Sequence, residues 1–341
     1  MSNQPPIEVP QGAIRLNTES QRLEFFAQDR WYEMATENAS IGNRGFRVSG
    51  TGAGATLIET FNIASLGNSH DTGFDMSTQR GALGCSASRT RAVLCGGNAP
   101  GVSNSNDIQY FEMTSLSNTI DFGDLTYDAA EAGAHSNNVR LVVTGAASHA
   151  SNVINFLTVA STGSAQDFGD QANKLSSTTA CGSPTRGLFA GGAIPSIVNI
   201  IEFVTIASTG NSVDFGDLTV ARYSAGSGSN NTRGLFIMGN AGSPTNQVNT
   251  IDFVTISSTG NAQDFGDSNM DDTGGPTQGA GVAASPNRIV FFGGYITGGT
   301  DRTTEMEYVN PTTRGNSTRF GDLETAQNSD GNALSSSHGG L

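Results

Sequence analysis

The densest potential chemistry in this chain lies in the tetrapeptide Asp-Phe-Gly-Asp, where two carboxylates three residues apart could hold a divalent cation or share a proton. The motif recurs, complete at 121–124, 167–170, 214–217 and 264–267 and in part around Phe74 and Phe320. Measured on its phenylalanine (Phe74, Phe122, Phe168, Phe215, Phe265, Phe320), the spacings are 48, 46, 47, 50 and 55 residues. A catalytic or metal-binding aspartate is needed once. Repeated this regularly, the motif is expected to be structural: the phenylalanine fills space between repeats, the glycine takes a tight turn and the aspartate caps backbone N–H groups.

Other chemical candidates are sparse. His70, His135, His149 and His338 are scattered over different repeats with no metal-ligand spacing. Cys85, Cys95 and Cys181 do not form a disulfide framework and are expected to be small buried apolar residues, although Cys85 and Cys95 fall on adjacent strands, where a cross-strand bond stays open. No G-x-S-x-G elbow, HExxH, phosphate loop or CxxC occurs. The reading therefore assigns no catalytic residue, no metal and no cofactor. What differs most between repeats is the loop between the second and third strands: 98–107, 193–199, 240–249 and 295–305. Variable loops on a rigid scaffold are where binding tends to be placed. The loop with Tyr295, Asp301 and Arg302 offers an aromatic platform and a charged pair, and is the candidate ligand-binding loop.

The elements that must position such loops follow from the repeat. Residues 185–218, TRGLFAGGAIPSIVNIIEFVTIASTGNSVDFGDL, return nearly word for word at 232–267. Within VNIIEFVTIAST from Val198, Ile201, Phe203 and Thr205 alternate with Ile200, Glu202, Val204 and Ile206, so the strand is largely apolar on both faces and must be covered on both. TRGLFAGG, SVDFGDLT and the small-residue run ARYSAGSGSNN make three more short strands. Four strands per repeat, with turn signals about every ten residues, describe one blade of an antiparallel propeller. Residues from Asp322 onward align without a gap against those from Asp217, supplying a first strand alone, while 43–75 supply the remaining three. One blade is split between the two ends, and that closes the ring without open sheet edges. The fold expected is all-β: a six-bladed propeller over 41–341, preceded by a small β-meander over 1–40.

The repeat resembles the kelch family: Arg222 stands near the start of the first strand, Gly191 and Gly192 match the double glycine, and Phe203 takes the aromatic position of the third strand. The fourth strand departs from it, carrying phenylalanine where kelch repeats usually have tryptophan. NSVDFGDLT also resembles, loosely, the Asp-box of sialidase propellers, which is itself a turn-stabilising element. The sialidase resemblance implies an arginine triad in the mouth; here Arg91, Arg140, Arg186, Arg233 and Arg288 occupy repeat-equivalent positions, as a structural role predicts. The spelling shared with the DFG of protein kinases carries nothing, because the Gly-rich loop, the lysine strand and the HRD motif are missing.

Residues 1–40 lie outside the repeat and read as three short strands, 13–18, 22–26 and 30–34. Phe25, Phe26, Trp31 and Tyr32 crowd onto two of them. A sheet of this size cannot bury a useful core alone. GAIRLNT followed by LEFF and RWYEM resembles a short module of fibre and other virion proteins of tailed bacteriophages, many of them marine, and the repeat resembles a glycine-rich propeller repeat of phage structural proteins. The resemblance implies a virion location after assembly in the host cytoplasm, with Phe25, Phe26, Trp31 and Tyr32 docking the module into other virion proteins or forming a homotrimer.

Composition narrows the partners. A net charge of −14 with no Lys/Arg cluster argues against nucleic acid. Nine of the acidic residues belong to the Asp-Phe-Gly-Asp repeats (Asp121, Asp124, Asp167, Asp170, Asp214, Asp217, Asp264, Asp267 and Asp322). Much of the acidity is therefore a property of the repeat. No apolar run reaches the roughly 18–20 residues of a membrane helix, and MSNQPPIEVPQ lacks the basic start and apolar core of a signal peptide. The function expected is a non-enzymatic phage virion structural protein, a peripheral tail-fibre or decoration component presenting the propeller to a host-surface glycan or protein. The rivals are a propeller-type, sialidase-like carbohydrate-active enzyme and an intracellular protein-interaction scaffold.

Overall fold

The computed structural model describes residues 10–17, 22–27, 30–33, 43–48, 56–99, 101, 104–145, 152–193, 196–243, 247–270, 276–296, 302–325 and 333–340. Contacts divide the chain into two compact units, Met1–Ser40 and Ile41–Leu341. The larger unit is a six-bladed β-propeller of four-stranded antiparallel sheets. Blade 3 shows the pattern from axis to rim: Thr179–Gly182, Arg186–Ala190, Ile200–Thr205 and Val213–Asp217. The inner strands of blades 1 to 6 are Gly84–Ala87, Gly133–Ser136, Thr179–Gly182, Gly226–Ser229, Gly281–Ala284 and Ala333–Ser335. Each lies beside the next, and the sixth lies beside the first. Small residues are required there: a Cβ on Gly228 would stand 2.8 Å from Val282 Cγ1, and one on Gly84 3.1 Å from the Ala132 carbonyl oxygen.

The split blade is blade 6. Ala333, Leu334 and Ser335 pair with Arg47, Phe46 and Gly45 of Arg44–Val48, and Leu57–Asn62 and His70–Asp75 complete the sheet. The closing strand is shorter than the alignment suggests, because a 3-10 turn at His338–Gly340 takes over three residues later.

The apolar core lies between blades. Val93, Ile108 and Phe122 of blade 1 pack with Leu141, Val143 and Leu157 of blade 2, and equivalent clusters fill the other seams. One recurring contact crosses each seam, and two more within the blade hold its donor in place. The arginine that opens each second strand donates from Nη1 to a carbonyl of the next blade: Arg91 to Val159, Arg140 to Ile206, Arg186 to Ile256, Arg233 to Pro311, Arg288 to Ile63 and Arg44 to Met113, all at 2.9–3.0 Å. In five blades the same guanidinium stacks on the third-strand aromatic, 4.4–4.8 Å from the ring centre. That aromatic meets the phenylalanine of Asp-Phe-Gly-Asp edge-on, as Phe203 meets Phe215 at 5.9 Å.

The motif's glycine is pressed against a glycine of the next blade's third-to-fourth-strand turn: Gly123 against Gly163, Gly169 against Gly210, Gly216 against Gly260 and Gly266 against Gly315. Of the first aspartates, Asp264 caps as the sequence suggests, its Oδ1 accepting from the Gly266 N–H at 3.1 Å. Asp121, Asp167 and Asp214 are exposed. Instead the backbone N–H of the second aspartate is capped by the neighbouring turn, with Asn211, Asn261 and Asn316 Oδ1 accepting from Asp170, Asp217 and Asp267 at 3.0–3.1 Å. Phe74 is also reassigned. The strand pairing matches Asp71 with Glu59 and Asp75 with Leu57, so Thr72 stands where the other blades have phenylalanine and Phe74 is an extra bulge residue.

The third strands are less apolar than their sequence reads. Immediately before the aromatic position, Glu59, Gln109, Asn155, Glu202, Asp252 and Glu307 are all buried. All but Gln109, which accepts from Thr119 Oγ1 instead, accept hydrogen bonds from the start of a fourth-to-first-strand connection. Glu202 takes them from Ser212 Oγ (2.6 Å), Asn173 Nδ2 (2.7 Å) and the Ala172 N–H (3.3 Å). Arg222 is fully buried and donates to Asp252 at 3.0 Å and to the Phe236 carbonyl at 3.1 Å, and Arg47 pairs with Glu59 at 2.9 Å.

The smaller unit is a three-stranded sheet, Ile14–Asn17, Arg22–Ala27 and Arg30–Glu33. Cross-strand register puts Phe26 opposite Trp31 and Phe25 opposite Tyr32. On one face Phe26 meets Trp31 edge-on at 5.3 Å, and Arg15, paired with Glu24 at 2.7 Å, stacks 4.1 Å from the Trp31 ring centre. Ile14 and Leu16, on the other face, are 63% and 59% exposed.

Candidate functional site

Both ends of the central channel are built from the ends of the six inner strands, but they differ in chemistry. At one end lies a cavity of about 440 Å³, within the size range of small-ligand pockets. It forms where the second strands end and the fourth strands hand over to the next inner strand. In five blades the residue two before the inner strand has left-handed backbone: Ala82, Glu131, Ser177, Ser224 and Gly279, with φ of 54°, 53°, 54°, 48° and 71°. Neighbouring corners are tied to one another, Glu131 N–H to the Ala82 carbonyl (2.7 Å), Ser224 N–H to Ser177 (3.0 Å) and Gly279 N–H to Ser224 (2.7 Å). A non-glycine residue held there costs about 1 kcal/mol or more, and such strain tends to gather at functional sites.

These five corners thus share one backbone, and Glu131 is the one charged residue among them. Glu131 accepts a hydrogen bond from Ser177 Oγ. Gln278 and Tyr295 belong to blade 5, three blades from Glu131 and so across the ring; Asn98 of blade 1 is likewise across from Tyr223 of blade 4. Short bridges between Gly81 and Asn98, Ser176 and Ala193, and Tyr223 and Asn240, with the two-residue ladder of Thr277–Gln278 and Tyr295–Ile296, bring the second-to-third-strand loops to the rim.

Of the residues singled out in the sequence, Tyr295 is half-buried and lines this cavity. Arg302 is exposed, its guanidinium 5.2 Å from the Tyr295 ring centre, and Asp301 lies outside the described residues. Phe26 and Trp31 meet in the N-terminal sheet, while the side chains of Phe25 and Tyr32 lie outside the described residues. Glu131, Tyr223 and Gln278 escaped sequence reasoning. Glu131 stands two residues before its small-residue strand, where the repeats read alanine, glutamate, serine, serine and glycine, and Tyr223 and Gln278 stand one residue earlier, where they read glycine, alanine, serine, tyrosine and glutamine.

The opposite end is plugged. His338, in the 3-10 turn after the closing strand, sits with its ring 5.6 Å from that of His135, nearly perpendicular. His338 Nε2 is 3.1 Å from both Ser86 Oγ and Ser136 Oγ, and its Nδ1 is 2.9 Å from the Ser335 carbonyl oxygen. Burial pushes the pKa of His135 down to about 3 and that of His338 below its usual value, so both rings are neutral at pH 7. Only about 40 Å³ of space remains beside them.

The three cysteines are free thiols, and burial raises Cys85 and Cys181 to about 12, which keeps them protonated and unreactive. Among the described residues, no group of three or more His, Cys, Asp or Glu is placed to hold a metal ion. No described helix is long and apolar enough to cross a membrane. No protein-family model matches the chain, and no curated protein matches it.

Proposed function

We propose that this chain is a non-enzymatic virion component of a tailed bacteriophage, of tail-fibre or decoration type, anchored through residues 1–40 and presenting the propeller mouth to a host surface or another virion protein. The observation that carries the binding part is the mouth itself: one left-handed backbone corner repeated in five blades around the axis, strained at its four non-glycine copies, with Glu131, Ser177 and Ser224 among the side chains that line the cavity. The virion part rests on the resemblance of GAIRLNT, LEFF and RWYEM to a phage fibre module. Against the sialidase-like alternative stands the engagement of Arg91, Arg140, Arg186, Arg233 and Arg288, each donating to a carbonyl of the neighbouring blade and stacked on an aromatic ring. The test is co-sedimentation: virions banded in a density gradient should contain the protein by mass spectrometry. Its absence from intact particles would remove the virion role.

A further inference from the structure

The chemistry of the mouth is specific enough to name a ligand class. We propose that it binds one uncharged sugar residue at the exposed end of a glycan. The inference rests on the propeller being the receptor-facing part of the protein.

Three observations carry it. First, the wall combines hydroxyls and primary amides, Ser177, Ser224, Asn98 and Gln278 among them, with one carboxylate, Glu131; no lysine or arginine lines it among the described residues. An anionic ligand would meet Glu131 and a net charge of −14 without a cation in the wall. An apolar ligand would strip water from these groups and return no hydrogen bonds. A polyhydroxylated, uncharged ligand supplies both donors and acceptors.

Second, Tyr223 stands half-buried in the wall. A tyrosine ring provides an apolar face for the C–H side of a sugar and keeps its hydroxyl at the wet edge. Glu131, steadied by Ser177, accepts from two adjacent hydroxyls, while Gln278 reaches the ligand from across the ring.

Third, depth sets the length of chain that enters. Cys85, Ala134 and Ala180 line both the cavity and the constriction below it, where His338 leaves only about 40 Å³. A chain end fits and a chain passing through does not.

The experiment is saturation-transfer NMR on the full chain with glucose, galactose, mannose, N-acetylglucosamine, fucose and rhamnose, and with N-acetylneuraminic acid as the anionic comparison. At least one neutral sugar should show transfer, with a Kd on the order of millimolar. Glu131→Gln and Tyr223→Ala should each weaken it by about tenfold or more at an unchanged melting temperature. If Tyr223→Ala unfolds, Gln278→Ala replaces it. The proposal is overturned by absence of transfer from every neutral sugar, by tighter binding of N-acetylneuraminic acid, or by wild-type affinity in both variants. Protein that sediments with virions yet shows no transfer loses the sugar site and keeps its virion role; transfer by a protein missing from virions has the opposite meaning.

Discussion

Gly216 of blade 3 and Gly260 of blade 4 face each other so closely that a Cβ on Gly216 would stand 2.5 Å from the Gly260 carbonyl carbon and oxygen. No side chain rotation relieves that overlap, because both groups belong to the main chain. Gly260 has nothing within 4 Å of its own Cβ position. Both have positive φ, 145° and 152°. Gly216→Ala should therefore cost roughly 2–4 kcal/mol, from strain and overlap together, and Gly260→Ala only the strain, about 1–2 kcal/mol. Urea denaturation of the two variants separates these contributions, and equal losses would mean the seam relaxes.

The buried pair Arg222–Asp252 makes an asymmetric prediction. Asp252→Ala leaves a fully buried guanidinium without its counter-charge and strands the Thr219 N–H and hydroxyl, which Asp252 accepts at 3.0 and 2.6 Å. A loss of about 3–5 kcal/mol is expected. Arg222→Met in the same chain should recover part of it, since burial already holds the arginine's pKa below its normal value. A double variant no more stable than Asp252→Ala would show that the Thr219 contacts dominate.

The His135–His338 plug predicts acid sensitivity. Both rings titrate lower in the folded chain than in the unfolded one, so the unfolded chain binds more protons below about pH 6.5 and stability falls as the pH drops from there towards His135's folded value of about 3. The slope is at most about 1.4 kcal/mol per pH unit for each histidine. Between about pH 5 and 6.5, where most carboxylates stay ionised, His135→Gln should flatten the slope. An unchanged slope in that window would assign the sensitivity elsewhere.

Closure of the ring is testable by deleting residues 333–341. That removes the inner strand of blade 6, Leu334 from the cluster with Phe46 and Leu94, and the Ala333 carbonyl that accepts from Cys85 Sγ at 3.2 Å. The melting temperature should fall by more than about 10 °C, or soluble protein should be lost. An unaltered melt would contradict closure by this strand.

The N-terminal sheet should be separable from the propeller. Phe26→Ala with Trp31→Ala removes the edge-on pair and the ring under Arg15. Mass spectrometry of purified particles should show the double variant depleted, while its propeller melts like the wild type. Normal incorporation would place the anchor elsewhere.

Blade number, blade order and the split blade were legible in the sequence because the seam contacts recur: an arginine, an aromatic and an Asp-Phe-Gly-Asp in nearly every repeat. The roles inside the motif were harder to read. Asp214 looked like a cap, yet its side chain is exposed and its neighbour's backbone is capped by an asparagine. That partner lies in another blade, about 45 residues on in the repeat, and no local pattern reports it. Glu202 and its equivalents hid inside apolar strands for the same reason, since their hydrogen-bonding partners come from the preceding connection. Tyr295 was found through loop variability. Glu131 and Tyr223 were not, because their importance comes from nearness to the axis, which only the assembled ring defines.

The seams have a consequence for how such a chain can change over generations. On the receiving side the contacts are main chain: an arginine meets a carbonyl, and a glycine meets a glycine backbone. At these two joints no side chain of the receiving blade has to mutate in step with its donor. The apolar clusters of the same seams do pair side chains across blades, and the asparagine caps use a side chain of the receiving blade. Whole repeats can drift, be duplicated or be exchanged while the joints stay compatible. Diversification is then free to concentrate at the corners around the axis, where a substitution changes the chemistry of the cavity wall and leaves the ring that carries it intact.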